Sequence, residues 1–432
     1  MNAECRNFYV VYYSSKFFSF LMKGVFDFIM KNLAVGLFNE SFPPTIDGVS
    51  NTVVNYARII QADYGRSVVV TPKYKDVVDD YPFRVIRYNS LPTEKTRIRY
   101  NAGIPFSVPA IREIQKENLD LIHVHSPFTA ALIARNANIG HKIPVIMTYH
   151  TKFASEFEFT LKKKALCKVA AEFLVSNFNY ADEVWTVSKG AADSLHELGY
   201  KGETRVMVNG ADITLDPASP DIMRRVQSET AISSGELVFM YCGRMQWYKN
   251  IKIIIDALVK VKAAGVRFKM IFVGEGPERE EMMDYVRKVG LFTSTLFTGA
   301  IHDRELLKGY FTRADLFLFP STYDTAGLVV MEAAACQTPS VLVKDSCASE
   351  IVTDGRNGFI AEENPDAFAA KILEAVQDRD HLAQMGERAA QEVYLSWDDA
   401  VANAYSRYEE IYDDWRAFKG IRRISVLKSW NK

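Results

Sequence analysis

A twofold alternation of short apolar runs with amphipathic stretches restricts this fold more than any other feature of the chain. In the first half the runs are Leu33–Phe38, Ser67–Thr71, Leu121–His125, Pro144–Tyr149 and Glu183–Val187. Helical periodicity lies between them at Val49–Ala62, Pro109–Glu117 and Thr160–Phe178. Short runs without polar alternation fit strands covered on both faces, and such strands belong to parallel sheets. The second half repeats the scheme, with runs at Leu237–Cys242, Lys269–Val273, Leu296–Thr298, Leu316–Phe319 and Ser340–Val343. Its helices are predicted at Asn250–Ala264, Pro277–Val289, Asp303–Thr312 and Leu328–Ala335. The stretch Asn209–Glu236 has no strand pattern and carries Asn-Gly, Asp-Pro and Ser-Pro breakers, so the hinge is expected at Asn209–Pro217.

The expected architecture is therefore α/β: two Rossmann-like domains, residues 31–210 and 211–396, facing a central cleft. Ligands bind such sheets outside the carboxyl ends of their strands. A polar-aromatic helix, Asp398–Phe418, is expected to cross back to the first domain. Residues 397–432 then comprise that helix and a loose basic tail from Arg422. The 432 residues suffice for two cores, and 48% apolar with 24% charged residues sets aside disordered and fibrous classes. A net charge of −1 argues against a general nucleic-acid binder, although Lys and Arg exceed Asp and Glu in the first half and the reverse holds in the second. Cys5, Cys167, Cys242, Cys336 and Cys347 are scattered without a CxxC pair, which suits reduced thiols in the cytoplasm.

Residues 1–30 form an aromatic-rich extension that Lys16, Lys23 and Asp27 interrupt, so it is a poor membrane span. Two readings stay open. Met30 is the natural start and the upstream piece a mis-assigned one, or the extension is an interfacial amphipathic helix.

Several strand-to-helix turns carry residues suited to an anionic ligand. Gly48 stands at such a turn after Phe42-Pro43-Pro44, where backbone can approach a ligand and helix N–H groups face phosphate. Arg244 and Lys249 follow the strand ending at Cys242. A guanidinium fork and an ammonium point charge there suit a diphosphate. Gly274-Glu275-Gly276 is a weaker turn signal of the same kind. In Asp324-Thr325-Ala326-Gly327-Leu328, a carboxylate follows a strand and Glu332 lies on the next helix among apolar residues. A carboxylate so placed needs a partner. A ribose hydroxyl pair fits, and a structural salt bridge is the alternative. His123, His125 and His150 lie at strand ends. One cleft histidine touching a sugar suits them better than a metal site, and His123 serves equally as a satisfied core residue. Asp378-Arg379-Asp380 spells a metal-binding triplet but falls away from any strand end and reads as surface charge.

These residues resemble the retaining glycosyltransferases of family 4, which have the GT-B fold. The resemblance runs from about Leu33 to Trp397. The family pattern Glu-x-Phe-Gly-x-x-x-x-Glu has Asp324 at its first acid, Ala326 in place of Phe, and Gly327 and Glu332 matched. Its Gly-Arg-x-x-x-x-Lys matches Arg244 and Lys249, and its Pro-Pro-x-x-Gly-Gly-Val loop matches Pro43–Val49 with Asp47 for the first Gly. An Asp at the first acid, and Tyr149-His150-Thr151, are similar to diacylglycerol glucosyltransferases. The resemblance implies Arg244 and Lys249 on the donor diphosphate and Glu332 on the ribose. Asp324, His125 and the Thr325–Leu328 backbone would face the sugar, the Gly299–Ile301 loop would lie near the base, and the Glu275 turn near the nucleotide. It implies no metal or cofactor, because the cations do that work.

The acceptor side reads from Lys162, Lys163, Lys164 and Lys168, opposite Leu161, Ala165, Val169 and Phe173, together with His150. A basic amphipathic helix suits an anionic membrane surface. The expected activity is transfer of a hexose, glucose from UDP-glucose, to a lipid such as diacylglycerol, by a cytoplasmic protein peripheral on the inner face of the membrane. The alternatives are a soluble GT-B transferase with a saccharide or polysaccharide acceptor, a sugar-nucleotide epimerase, and a catalytically dead sugar-nucleotide-binding or scaffold protein.

Overall fold

The computed structural model describes residues 31–45, 47–92, 101–140, 142–161, 163–233 and 235–430, with backbone alone for 155, 158, 159 and 419–430. The extension 1–30 and Lys162 lie outside the described residues.

The apolar runs become strands of two parallel sheets, all of them inner strands except Thr295–Gly299. The first sheet has the order Arg84–Tyr88, Arg66–Pro72, Ala34–Phe38, Leu121–Val124, Val145–Tyr149, Glu183–Thr186, Arg205–Val206. The second runs Thr295–Gly299, Phe268–Val273, Leu237–Cys242, Leu316–Phe319, Ser340–Val343, Phe359–Ala361. Ala34–Phe38, Val145–Tyr149, Leu316–Phe319 and Ser340–Val343 are buried at every position, which is why their sequences are apolar without alternation. In each sheet the strand order reverses at one place, beside Ala34–Phe38 and beside Leu237–Cys242. Loops leaving the two sides of such a reversal diverge and leave a crevice. The segments carrying Gly48, Arg244, Lys249 and Asp324 all leave strands at these reversals.

The helix Trp397–Trp430 crosses back as expected. Trp397, Val401, Ala404, Tyr405, Tyr408 and Ile411 recur every three or four residues and pack into the first-sheet core. Tyr408 stacks on Trp185 at 5.4 Å and 5°. The expected loose tail is corrected: the helix runs on to Trp430, because residues 421–430 contain neither Gly nor Pro to stop it.

A second correction concerns Thr160–Phe178, which is two helices, Phe153–Leu161 and Lys164–Phe178, with Lys163 extended between them (φ −111°, ψ 118°). The break turns Leu161 onto the first core, so it does not share the exposed face predicted for it.

Candidate functional site

Arg244, Lys249 and Asp324 converge where the second sheet reverses. Lys249 Nζ lies 2.6 Å from Asp324 Oδ1. The rings of Tyr248 and Tyr323 flank this ammonium, at 5.4 and 4.9 Å from their centroids. Asp324 Oδ2 is buried without a hydrogen-bond partner. Arg244 is half-buried and hydrogen-bonds the Tyr248 hydroxyl, but among the described residues it forms no salt bridge with a carboxylate. The centre thus holds one neutralised ion pair, one guanidinium without a carboxylate partner and one unmet acceptor. That combination suits a ligand with an anionic part and a hydroxylated part.

Backbone-to-backbone packing holds the Arg244 loop. Gly274 has φ +136°, and a Cβ there would sit 2.0 Å from Gly243 O; one on Gly276 would sit 2.2 Å from Met245 O. Met245 N donates to Glu275 O at 3.0 Å. The Glu275 side chain is exposed and lies over Gly299, 3.8 Å from the Arg279 guanidinium. Ile301 lines a cavity of about 430 Å³ with Thr298, His302 and Tyr310, apart from Arg244 and Lys249. Gly327 begins helix Leu328–Ala335 at φ +59°, where a Cβ would press to 3.0 Å from Ala348 Cα. Leu328 packs on the second core.

The first-sheet loops close over this centre. Lys152 Nζ donates to Thr322 O at 2.9 Å, and Thr325 Oγ1 donates to His150 O at 2.6 Å. Tyr323 also donates to Glu156. Ala326 packs against the first core, so the methyl that replaces the family's Phe contributes to the contact between halves. Lys152, Glu156 and Tyr323 escaped the sequence reading. Their roles depend on segments about 170 residues apart, and only Lys152 had a local cue, its place just after His150-Thr151.

His123 is a satisfied core residue: Nδ1 meets Tyr408 Oη at 2.5 Å and Nε2 meets Thr148 Oγ1 at 2.6 Å. His125 Nδ1 meets His150 Nε2 at 3.0 Å, while His125 Nε2 is buried and unpartnered. An unmet buried polar atom costs roughly 1–3 kcal/mol, which a sugar hydroxyl would relieve. Burial holds His150 down to about 3 and lowers His123 and His125 as well. These rings stay neutral in the fold and protonate only when unfolded, so stability falls as pH drops below about 6.5. Glu40 works the other way. Burial raises it to about 7, and it gains stability as pH falls from there toward its ordinary value. Replacing His150 by Gln isolates one histidine: between pH 7 and 5 the variant loses about 2 kcal/mol less than wild type. Denaturant titrations at both pH values measure this, and equal losses would exclude His150 from the neutral set.

Two turns differ from expectation. A Cβ on Gly48 would meet nothing within 4 Å, so the space above it is open. However, the helix that Gly48 begins does not offer all its N–H groups, because Asp47 caps it and accepts from Ser50 N at 2.8 Å. Glu332 is buried and paired with Arg304, which the sequence had allowed as the structural alternative to ribose. Burial raises the Glu332 carboxyl, and the Arg304 guanidinium opposes this. Lys163, Lys164 and Lys168 lie outside this centre and are exposed. Asp378 is likewise exposed and caps helix Arg379–Glu392. Among the described residues, no group of three His, Cys, Asp or Glu could hold a metal ion.

Two parallel sheets with reversals facing a cation-lined centre define a GT-B glycosyltransferase, and comparisons with known proteins agree. Residues 46–215 match the model for Glycosyltransferase Family 4, and residues 223–392 that for Glycosyl transferases group 1. The chain belongs to the family 4 glycosyltransferases. The alpha-monoglucosyldiacylglycerol synthase of Streptococcus pneumoniae is 26% identical over 80% of this chain and 78% of its own. The protein of that name from Acholeplasma laidlawii is 24% identical over 84% and 94%. The N-acetyl-alpha-D-glucosaminyl L-malate synthase of Bacillus anthracis is 26% identical over 69% and 76%. The structure of Anabaena Alr3699/HepE in complex with UDP superposes with a TM-score of 0.69 at 20% identity, covering 88% of this chain and 100% of that one.

Proposed function

We propose that this chain transfers a hexose, glucose from UDP-glucose, to the hydroxyl of a lipid such as diacylglycerol at an anionic membrane surface, with retention of configuration. The observation that carries the lipid acceptor is an exposed apolar row beside a basic one. Leu166, Val169 and Phe173 stand out on one face of helix Lys164–Phe178, Val169 at 62% exposure. Lys163, Lys164 and Lys168 are exposed beside them, although Lys168 also lies 3.9 Å from Glu172. An apolar stripe rimmed by ammonium groups fits acyl chains and anionic headgroups. No described helix is long and apolar enough to cross a membrane. The two synthases named above support the same acceptor, and structures of like fold hold UDP and UDP-glucose.

In this reading Arg244 and Lys249 neutralise the diphosphate as the sugar–phosphate bond lengthens. Lys249 turns from Asp324 toward phosphate, which frees both Asp324 oxygens for sugar hydroxyls. His125 Nε2 meets another hydroxyl, and the Thr325–Leu328 backbone lies along the sugar. The acceptor attacks from the face that the diphosphate leaves, and a phosphate oxygen takes its proton. No side chain acts as nucleophile.

A screen of UDP-, GDP- and ADP-hexoses with diacylglycerol vesicles, read by product mass, tests the pair of substrates. Flotation with vesicles containing phosphatidylglycerol tests the surface. Changing Lys163, Lys164 and Lys168 together to Gln should weaken vesicle binding about 100-fold, at about 1 kcal/mol per residue. Absence of wild-type binding to anionic vesicles, with turnover on a soluble saccharide, would replace the lipid acceptor with a saccharide.

A further inference from the structure

Asp212 lies in the segment joining the two sheets, and its carboxylate gathers donors from three elements. Oδ1 accepts from Asn55 Nδ2 at 3.2 Å and from Trp397 Nε1 at 2.6 Å. Oδ2 accepts from Asn51 Nδ2 and lies 3.4 Å from Arg304 Nη2. Asn51 and Asn55 are four apart on helix Gly48–Ile59, so they share the face turned to Asp212. The same Arg304 Nη2 also donates to Glu332 Oε1. One guanidinium thus serves two carboxylates, leaving the triad with one negative charge in excess. Glu332 sits on a buried helix and its side chain is 9% exposed, whereas the Arg304 side chain is 45% exposed and has room to reorient.

We propose that Arg304 and Asp212 are positioning residues for the transfer reaction, with Arg304 passing from Glu332 to Asp212 when a donor nucleotide occupies Glu332. This rests on the reading of Glu332 as the ribose carboxylate. Ribose hydroxyls supply the hydrogen bonds that Glu332 otherwise takes from Arg304. The released guanidinium then closes the 3.4 Å gap to Asp212. Asp212 in turn holds helix Gly48–Ile59 through Asn51 and Asn55, so occupancy of the second half fixes that helix of the first.

The test uses UDP as the probe, with calorimetry for affinity and hydrogen exchange for the 48–59 amides. In wild type, UDP should slow exchange across 48–59. In Asp212→Asn, UDP should bind within about threefold of wild type, while the exchange response is lost and kcat with UDP-glucose falls about 10-fold at little-changed donor KM. Arg304→Gln serves where Asp212→Asn is unstable, and it should abolish the same response. A merely structural Asp212 would raise exchange with and without UDP alike. That result overturns the proposal, as does an Asp212→Asn protein that keeps the UDP response. If wild type binds none of UDP, GDP and ADP, the donor reading of Glu332 itself falls, and this relay with it.

Discussion

Arg244→Ala should cut hexosyl transfer by roughly 10²–10³-fold, the loss typical for removing one preorganised group that stabilises developing charge. Its thermal midpoint should stay within about 2 °C of wild type, because truncating a half-buried side chain outside any ion pair or cap costs little. Both halves of this expectation follow from the same fact. Arg244 has no carboxylate salt bridge among the described residues, so its loss leaves no buried charge unpaired and costs only its hydrogen bond to Tyr248. Lys249 differs, since its loss would strand Asp324, already half unmet at Oδ2. Arg244→Lys should recover only part of the rate, because an ammonium cannot grip two phosphate oxygens in a plane as a guanidinium does. Initial rates with UDP-glucose and vesicles, beside a melting curve, measure both quantities. Near-normal turnover in Arg244→Ala would remove this residue from the diphosphate site.

Where both faces of a strand are covered, the sequence was readable to within a residue at each end. Leu237–Cys242, Ser340–Val343 and the helix Leu328–Ala335 stand at their expected bounds. Both edge strands of the first sheet were missed. Arg84–Tyr88 and Arg205–Val206 carry charge and exposure because one side faces solvent, so neither shows a continuous apolar run. The strand-to-helix turns that carry Arg244, Lys249 and Asp324 were readable because strand ends and glycines are local properties. The contacts that join the halves were not. Glu350 accepts from Lys189 N at 2.8 Å and Gly190 N at 2.7 Å, and no local pattern at either end announces the other. Glu332 shows the same limit. Its need for a partner was legible from its apolar neighbours, but Arg304, from a separate helix, became visible only in the fold.

The weakest sequence signal of the site, Gly274-Glu275-Gly276, predicts the largest stability effect. Gly274→Ala should destabilise the second half by about 3–5 kcal/mol, well above the usual cost of a single substitution. Its new Cβ would lie 2.0 Å from Gly243 O, and backbone oxygen cannot swing away as a flexible side chain can. Nor can either strand end move apart freely. Gly243 N donates to Val273 O at 3.0 Å, and Gly274 N donates to Gly299 O at 2.9 Å. The φ of +136° adds strain for any L side chain. Because Gly243 precedes Arg244, relief of the clash would displace the diphosphate cation, so donor binding should weaken with stability. Gly48→Ala supplies the contrast. Its Cβ meets nothing within 4 Å and the site begins a helix, where Ala exceeds Gly by up to about 1 kcal/mol. That variant should keep or gain stability, yet raise the donor KM if phosphate occupies the open space above Gly48. Denaturant unfolding and UDP calorimetry on the two proteins separate these effects. A Gly274→Ala protein as stable as wild type would mean that the two backbones can part, and the Arg244 loop would then lack the rigidity assigned to it.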